Sequence, residues 1–138
     1  MPKIALTPYS LKNATLKIAA DSYEAAISSV AFTPSASKST FKAVDGGTFT
    51  DLDPAEWVCD ITYAQDFRTA GSLSNYLHTN EGTAVVAEFV PTTGGTGAKK
   101  ITATVVITPG AIGGAVGGTA TATVQLGVQG KPVIAAAA

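Results

Sequence analysis

The chain reads as mainly β: an antiparallel β-sandwich or split barrel with one short flanking α-helix. Three observations predict this class. Apolar and polar residues alternate at period two through nearly every structured stretch, the mark of half-buried strands. Gly, Pro, Asn and Asp clusters punctuate those stretches at short intervals, as turns between antiparallel strands do. A single segment, Leu73 to Leu77, spaces its apolar residues helically. With 138 residues the chain is expected to form one domain, residues 1–138, large enough to bury a core.

The elements follow in order. Leu16 and Ile18 open a first strand, turned by Ala19 to Ser22. A longer strand is expected from Tyr23 to about Thr33, and its apolar phase shifts between Ile27 and Val30, which predicts a bulge. Pro34 to Ser39 reads as a polar loop, Thr40 to Val44 as a short strand, and Asp45-Gly46-Gly47 as a turn. Phe49 to Glu56 is acidic and reads as irregular. Trp57, Cys59, Ile61 and Tyr63 then alternate on one strand face.

Leu73, Tyr76 and Leu77 fall at i, i+3 and i+4, with Ser72 placed to cap the helix and Gly82 just past its end. Val85, Ala87 and Phe89 mark the next strand, Ile101 to Ile107 another, and Ala120 to Val128 the last. Trp57, Ile61, Tyr63, Leu73, Leu77 and Phe89 are the expected core. The polar partners on the final strands are Thr102, Thr104, Thr119, Thr121 and Thr123, with Gln125. One sheet is therefore expected to show water a broad, hydroxyl-rich face. The ends, about 1–12 and about 130–138, have no strand pattern and are expected to be flexible arms.

Composition narrows the function. Charged residues make up 14% of the chain, against an ordinary ~25%. Such a surface suits a subunit packed against copies of itself. A net charge of −1 provides no polyphosphate-binding footprint. The apolar run after Lys3 stops at Thr7-Pro8, too short for a secretory h-region, and no stretch reaches the ~18–20 apolar residues of a membrane span. The lone Cys59 has no partner for an internal disulfide, so packing must supply stability.

The stretch "TPGAIGGAVGGTATATVQLGV" (Thr108 to Val128) invites a nucleotide-binding reading. Gly113 and Gly118 have Walker A spacing, but Thr119 and Ala120 stand where that loop needs its lysine and hydroxyl residue. The residues that follow have strand rather than helix periodicity, so no helix N-terminus is available for phosphate. The glycines are expected to form a tight connection instead.

Other candidate chemistry fails on similar grounds. His78 has only Ser72, Ser74 and Asp66 nearby in sequence, all on or beside one short helix, and no nucleophile elbow is present. Asp45 to Glu56 has the length of an EF-hand loop, yet Gly47, Phe49 and Thr50 occupy positions that require other residues. Trp57, Tyr63, Tyr76 and Phe89 lie in phase with apolar faces and have no basic groove beside them, unlike a nucleic-acid stacking platform. Catalytic, cofactor-binding and metal-ligating residues are therefore all expected to be none, and the chain is not expected to be an enzyme.

Four segments carry a family resemblance: "KIALTPYSLKNATLKIAADSYEAAISSVAFTPS", "WVCDITYAQDF", "SLSNYLHTNEG" and "ITATVVITPGAIGG…TATATVQLGVQGKP". In collinear order, over almost the whole chain, they resemble the major tail tube proteins of bacteriophages with long, non-contractile tails. The resemblance implies a tail tube fold, a β-sandwich with a flanking helix, in subunits that close into hexameric rings. Stacked rings would form the hollow virion tail through which double-stranded DNA passes transiently and without sequence preference. It further implies assembly in the host cytoplasm, with a tape-measure protein inside and terminator and distal-tail proteins at the ends, and no membrane partner.

Residue chemistry adds expectations of its own. A DNA conduit needs a bore poor in Lys and Arg, since each phosphate contact adds affinity and would retain the genome. Thr102, Thr104, Thr119, Thr121, Thr123 and Gln125 are the candidate lining, with Asp60 and Glu88 supplying its charge, and the lysines are expected outside or at ring contacts. Ring stacking is expected to use Pro34 to Pro54, with Ser35, Lys38, Asp45, Asp51 and Asp53 as contact candidates, and after it the arms Pro2 to Leu11 and Gly130 to Ala138. An immunoglobulin-like adhesion or decoration domain shares the strand pattern and is the alternative; it would stay monomeric. A small hydrolase lacks its constellation.

Overall fold

The computed structural model describes residues 2–6, 8, 10–11, 13–91 and 98–136. Among these the chain forms nine strands and one helix: β1 (Thr15–Ile18), β2 (Asp21–Ser22), β3 (Ile27–Ser35), β4 (Lys38–Lys42), β5 (Thr48–Leu52), β6 (Glu56–Ala64), α1 (Leu73–Thr79), β7 (Ala84–Val90), β8 (Lys99–Val106) and β9 (Thr121–Ala136). Seven strands join in one antiparallel sheet of order β2-β1-β7-β8-β9-β6-β3, and β4 and β5 pair separately.

The sheet is folded over on itself. Phe32 on β3 and Phe89 on β7 lie four strand spacings apart in the sheet order. A flat sheet would separate them by roughly 19 Å, yet their ring centroids are 6.2 Å apart. β9 makes the fold possible. Its first part pairs with β6, from Thr121 opposite Ala64 to Val128 opposite Trp57, and its second part pairs with β8 as far as Ala136 opposite Lys99. Only Gly127 and Val128 pair on both sides. Just beyond them Gly130 adopts φ +81°, and the β8 register shifts between Thr102 and Thr104. A bulge at a glycine bends a strand sharply and lets it leave one layer for another. The outcome is two half-sheets, β3-β6-β9 and β9-β8-β7-β1-β2, an arrangement consistent with a β-sandwich.

The core lies between them. Leu16, Ile18, Ala87, Phe89 and Val105 come from one half, and Cys59, Ile61, Tyr63, Ala122, Val124 and Leu126 from the other. Helix α1 adds Leu73 and Leu77, both buried, and sets Tyr76 5.9 Å from the Tyr23 ring. Its N-terminus forms where Ser72 accepts the Asn75 N–H, and its end is held by the backbone and side-chain N–H groups of Asn80 on the Tyr76 carbonyl.

Several sequence expectations change. The strand expected from Tyr23 is interrupted, because the Ala26 N–H donates to the Tyr23 carbonyl and turns the chain before β3 begins. The expected bulge sits between Ile27 and Ser29. Trp57, expected in the core, is half-buried and outside the packed cluster; it lies at the end of β6 where the half-sheet runs out. The C-terminal arm is a strand as far as Ala136, because Val133 to Ala136 pair with Lys99 to Thr102; the bulge at Gly130 hid the alternation. Ala137 and Ala138, and Met1, Thr7, Tyr9 and Lys12 of the N-terminal arm, lie outside the described residues.

Candidate assembly surfaces

The segment from Pro34 to Pro54, expected to be irregular, is mostly strand. Ser35 opposite Glu56 ends the β3–β6 ladder, and Lys38 opposite Leu52 begins β4–β5, so the second hairpin continues the first after a two-residue break at Ala36-Ser37. The Asp53 N–H donates to the Ser37 carbonyl at 2.9 Å across that break. At the tip the Ala43 N–H donates to the Gly47 carbonyl at 2.7 Å, and Gly46 takes φ +92°, which glycine alone adopts cheaply.

Every residue of β4 and β5 is exposed. Alternation gives the hairpin two unlike faces. Phe41 lies opposite Phe49 and Ser39 opposite Asp51 on one; Lys38 and Leu52, Thr40 and Thr50, and Lys42 and Thr48 pair on the other. The phenylalanines are 66% and 65% exposed. Of the contact candidates, Ser35 closes β3 and Lys38 opens β4, while Asp51 lies on the phenylalanine face. The Asp45 carboxylate accepts the Gly47 N–H at 2.8 Å and so shapes the turn, and Asp53 lies in the break. The sequence reading missed Phe41 and Phe49. Their signal is the symmetry of "TFKAVDGGTFT", a Thr-Phe pair on each side of an Asp-Gly turn.

The candidate lining residues divide between two outer faces on opposite sides of the core. Asp60, Thr121, Thr123 and Gln125 belong to the face of β3, β6 and the first part of β9, where Gln125 is opposite Asp60 and Thr123 opposite Thr62. The Thr62 and Thr123 hydroxyls bond at 3.0 Å, and Thr33 donates to Asp60 at 3.2 Å. Asp60 shares this face with one other charged side chain of β6, Glu56 at the strand's start. Glu88, Thr102 and Thr104 belong to the face of β1, β7 and β8, in register with Lys17 and close to Lys100, whose ammonium is 3.7 Å from Glu88. Thr119 precedes β9. The expectation that Thr102, Thr104, Thr119, Thr121, Thr123 and Gln125 share one sheet face is thus corrected: the fold at Gly127 to Gly130 puts β8 and the start of β9 in different layers. Lys17 and Lys100 lie on the same face as Glu88, Thr102 and Thr104.

The glycine loop between β8 and β9 is held by Gln65, which the sequence reading also missed. Its side-chain amide donates to the Gly113 and Thr121 carbonyls at 2.9 and 3.0 Å and accepts the Gly113 N–H at 2.9 Å. One glutamine thereby does the work of a missing strand neighbour. Gly110 lies against Tyr63, where a Cβ would collide with the phenol oxygen.

The rejected chemistry has plain structural locations. Ser74 accepts the Asp66 N–H at 3.1 Å, Ser72 caps α1 and donates to the Asp66 carbonyl, and His78 is exposed. Asp66 is held below the usual carboxylate range by hydrogen bonds from Thr69 and Arg68. Cys59 is fully buried, and burial, aided by the Asp60 charge, pushes its thiol up to about 12, against thiolate chemistry. Tyr63 and Phe89 are buried, and Trp57 and Tyr76 half-buried. Among the described residues no three His, Cys, Asp or Glu side chains gather as a metal site, and no helix is long and apolar enough to cross a membrane. No protein-family model matches the chain, and no curated protein matches it closely enough to count as a relative.

Proposed function

We propose that the chain is a self-assembling structural subunit without enzymatic activity, whose copies close into hexameric rings that stack as a hollow, DNA-conducting phage tail tube. The observation that carries this reading is the extruded β4–β5 hairpin. A lone two-stranded hairpin is marginal in water, and this one leaves its paired phenylalanines in solvent. A second copy of the chain is the partner that gives it a packing surface. An arm on one copy that grips a different surface on the next is a heterologous contact, which closes as a ring or extends as a filament.

The outer face of β3, β6 and β9 is the proposed bore lining. It carries hydroxyls, Gln125 and, from β6, the acids Asp60 and Glu56 with no lysine or arginine, so it gives duplex DNA nothing to hold. The opposite face, with Lys17 and Lys100, is proposed to lie away from the bore. The family resemblance supports the same assembly and supplies its partners: tape-measure, terminator and distal-tail proteins.

Negative-stain electron microscopy of the purified protein at rising concentration tests the reading. Hollow rods are expected; a particle that stays monomeric at every concentration overturns it and favours a monomeric adhesion or decoration domain. Within rods, Thr123→Cys is expected to resist a maleimide reagent too large for the bore, while Thr104→Cys reacts.

A further inference from the structure

We propose that the N-terminal segment Pro2 to Leu6 of one copy adds as a strand to the free edge of β3 in a neighbouring copy; this rests on the self-assembly reading. Among the described residues β3 has a hydrogen-bonded neighbour, β6, on one side only, so its other edge is an unfilled template. Beside that edge lies a cleft between β3 and β1, with Leu16, Ile27, Val30 and Phe89 in its wall and Leu11 at its margin. It is the seam where the folded sheet fails to close.

The segment has the form such a seat requires. Ile4 and Leu6 alternate with Lys3 and Ala5, so an extended arm sends both large side chains to one face. They are 96% and 86% exposed, so the chain's own seam does not hold them. Charge matches as well. Among the described residues the only charged one lining the cleft is Glu24, and the first twelve residues of the sequence carry Lys3 and Lys12 and no acid. Reach permits a neighbour: the cleft's margin is at Leu11, and the five residue steps from Leu11 to Leu6 span up to about 18 Å when extended.

Cysteine cross-linking of the full-length chain tests this. Leu6→Cys with Ser29→Cys is expected to give a concentration-dependent ladder of reducible oligomers, with each single variant stopping at dimers. A cross-linked monomer instead places the arm in its own seam and overturns the proposal. Rods without a ladder also overturn it while leaving self-assembly intact; no association by microscopy or sedimentation overturns both. As a second variant, Ile4→Asp with Leu6→Asp is expected to raise the concentration needed for assembly about tenfold or more and leave monomer unfolding unchanged. Unaltered assembly in this variant counts against the proposal.

Discussion

β3–β6 and β4–β5 are successive stretches of one long hairpin, yet they meet opposite fates. Where the ladder crosses the body of the protein, Cys59, Ile61 and Tyr63 pass beneath the other half-sheet and are buried. Some ten residues further along the same ladder, nothing among the described residues lies over Phe41 and Phe49. Pairing alone therefore does not make a stable layer here; the folded-over sheet does, and the hairpin extends past its cover. The first stretch is complete within one chain, and the second has its strands formed and its packing surface missing.

The largest expected effect belongs to the covered stretch. Leu126 is fully buried on β9, opposite Cys59. Leu126→Ala removes three carbons from the middle of the core and should cost about 2–5 kcal/mol, read from the denaturant midpoint. A much smaller loss would mean that the half-sheets pack loosely and that the contrast with the hairpin is one of degree.

Alkali should act on the same region. Burial pushes Cys59 and Tyr23 up to about 12, with neighbouring Asp60 and Asp21 adding to the shifts, and raises Tyr63 against an opposing hydrogen bond at Gly110. All three groups are neutral acids whose folded pKa is raised, so their stabilising contribution is full below the unfolded values. It declines as pH climbs through roughly 9 to 12, where the unfolded chain releases protons that the folded chain retains. Denaturant midpoints across that range should fall. The fall should be shallower in Tyr23→Phe, which has no proton to lose.

A smaller effect is expected where the glycine loop meets the core. Gly110→Ala puts a methyl group against the Tyr63 hydroxyl and should cost about 1–3 kcal/mol. Tyr63→Phe in the same chain should recover part of that cost, since it removes the colliding oxygen. An equal loss in both variants would place the cause in the loop backbone.

The contrast also explains what the sequence could and could not reveal. Alternation marked β6, β7, β8 and the start of β9 because one face of each is buried against the other half-sheet. β4 and β5 have no covered face, so Lys38 to Leu52 shows no apolar stripe. Thr40 to Val44 reads as a short strand, but its partner from Phe49 reads as irregular. What joins them in sequence is turn chemistry, Asp45-Gly46-Gly47 between matching Thr-Phe pairs. The C-terminal part of β9 was hidden for another reason. Gly130 resets the phase, and Val133 to Ala136 is apolar throughout, with no alternation to count. The candidate lining was legible residue by residue and illegible as a surface. Thr102 and Thr123 share a pattern, and only the bend in β9 places them on different sides of the core. Gln65 could not be found by pattern at all, since its role depends on a loop 48 residues away.

The smallest effect on the folded chain is the sharpest test of the comparison. Phe41→Ser with Phe49→Ser replaces two exposed rings that no other part of the same chain covers. Removing them should therefore shift the unfolding free energy of the monomer by no more than about 0.5 kcal/mol, the usual scale for surface substitutions. Assembly should respond differently, because an aromatic pair buried between copies is the kind of anchor that dominates an interface. The concentration at which rods appear should rise about tenfold or more, equivalent to at least about 1.4 kcal/mol lost per contact. Paired measurements of denaturant midpoint and sedimentation separate the two effects. A monomer destabilised by several kcal/mol would mean that the hairpin packs on its own body in solution. Unchanged assembly would remove the phenylalanine face from the interface and leave the Lys38, Lys42 and Leu52 face as the one that meets the next copy.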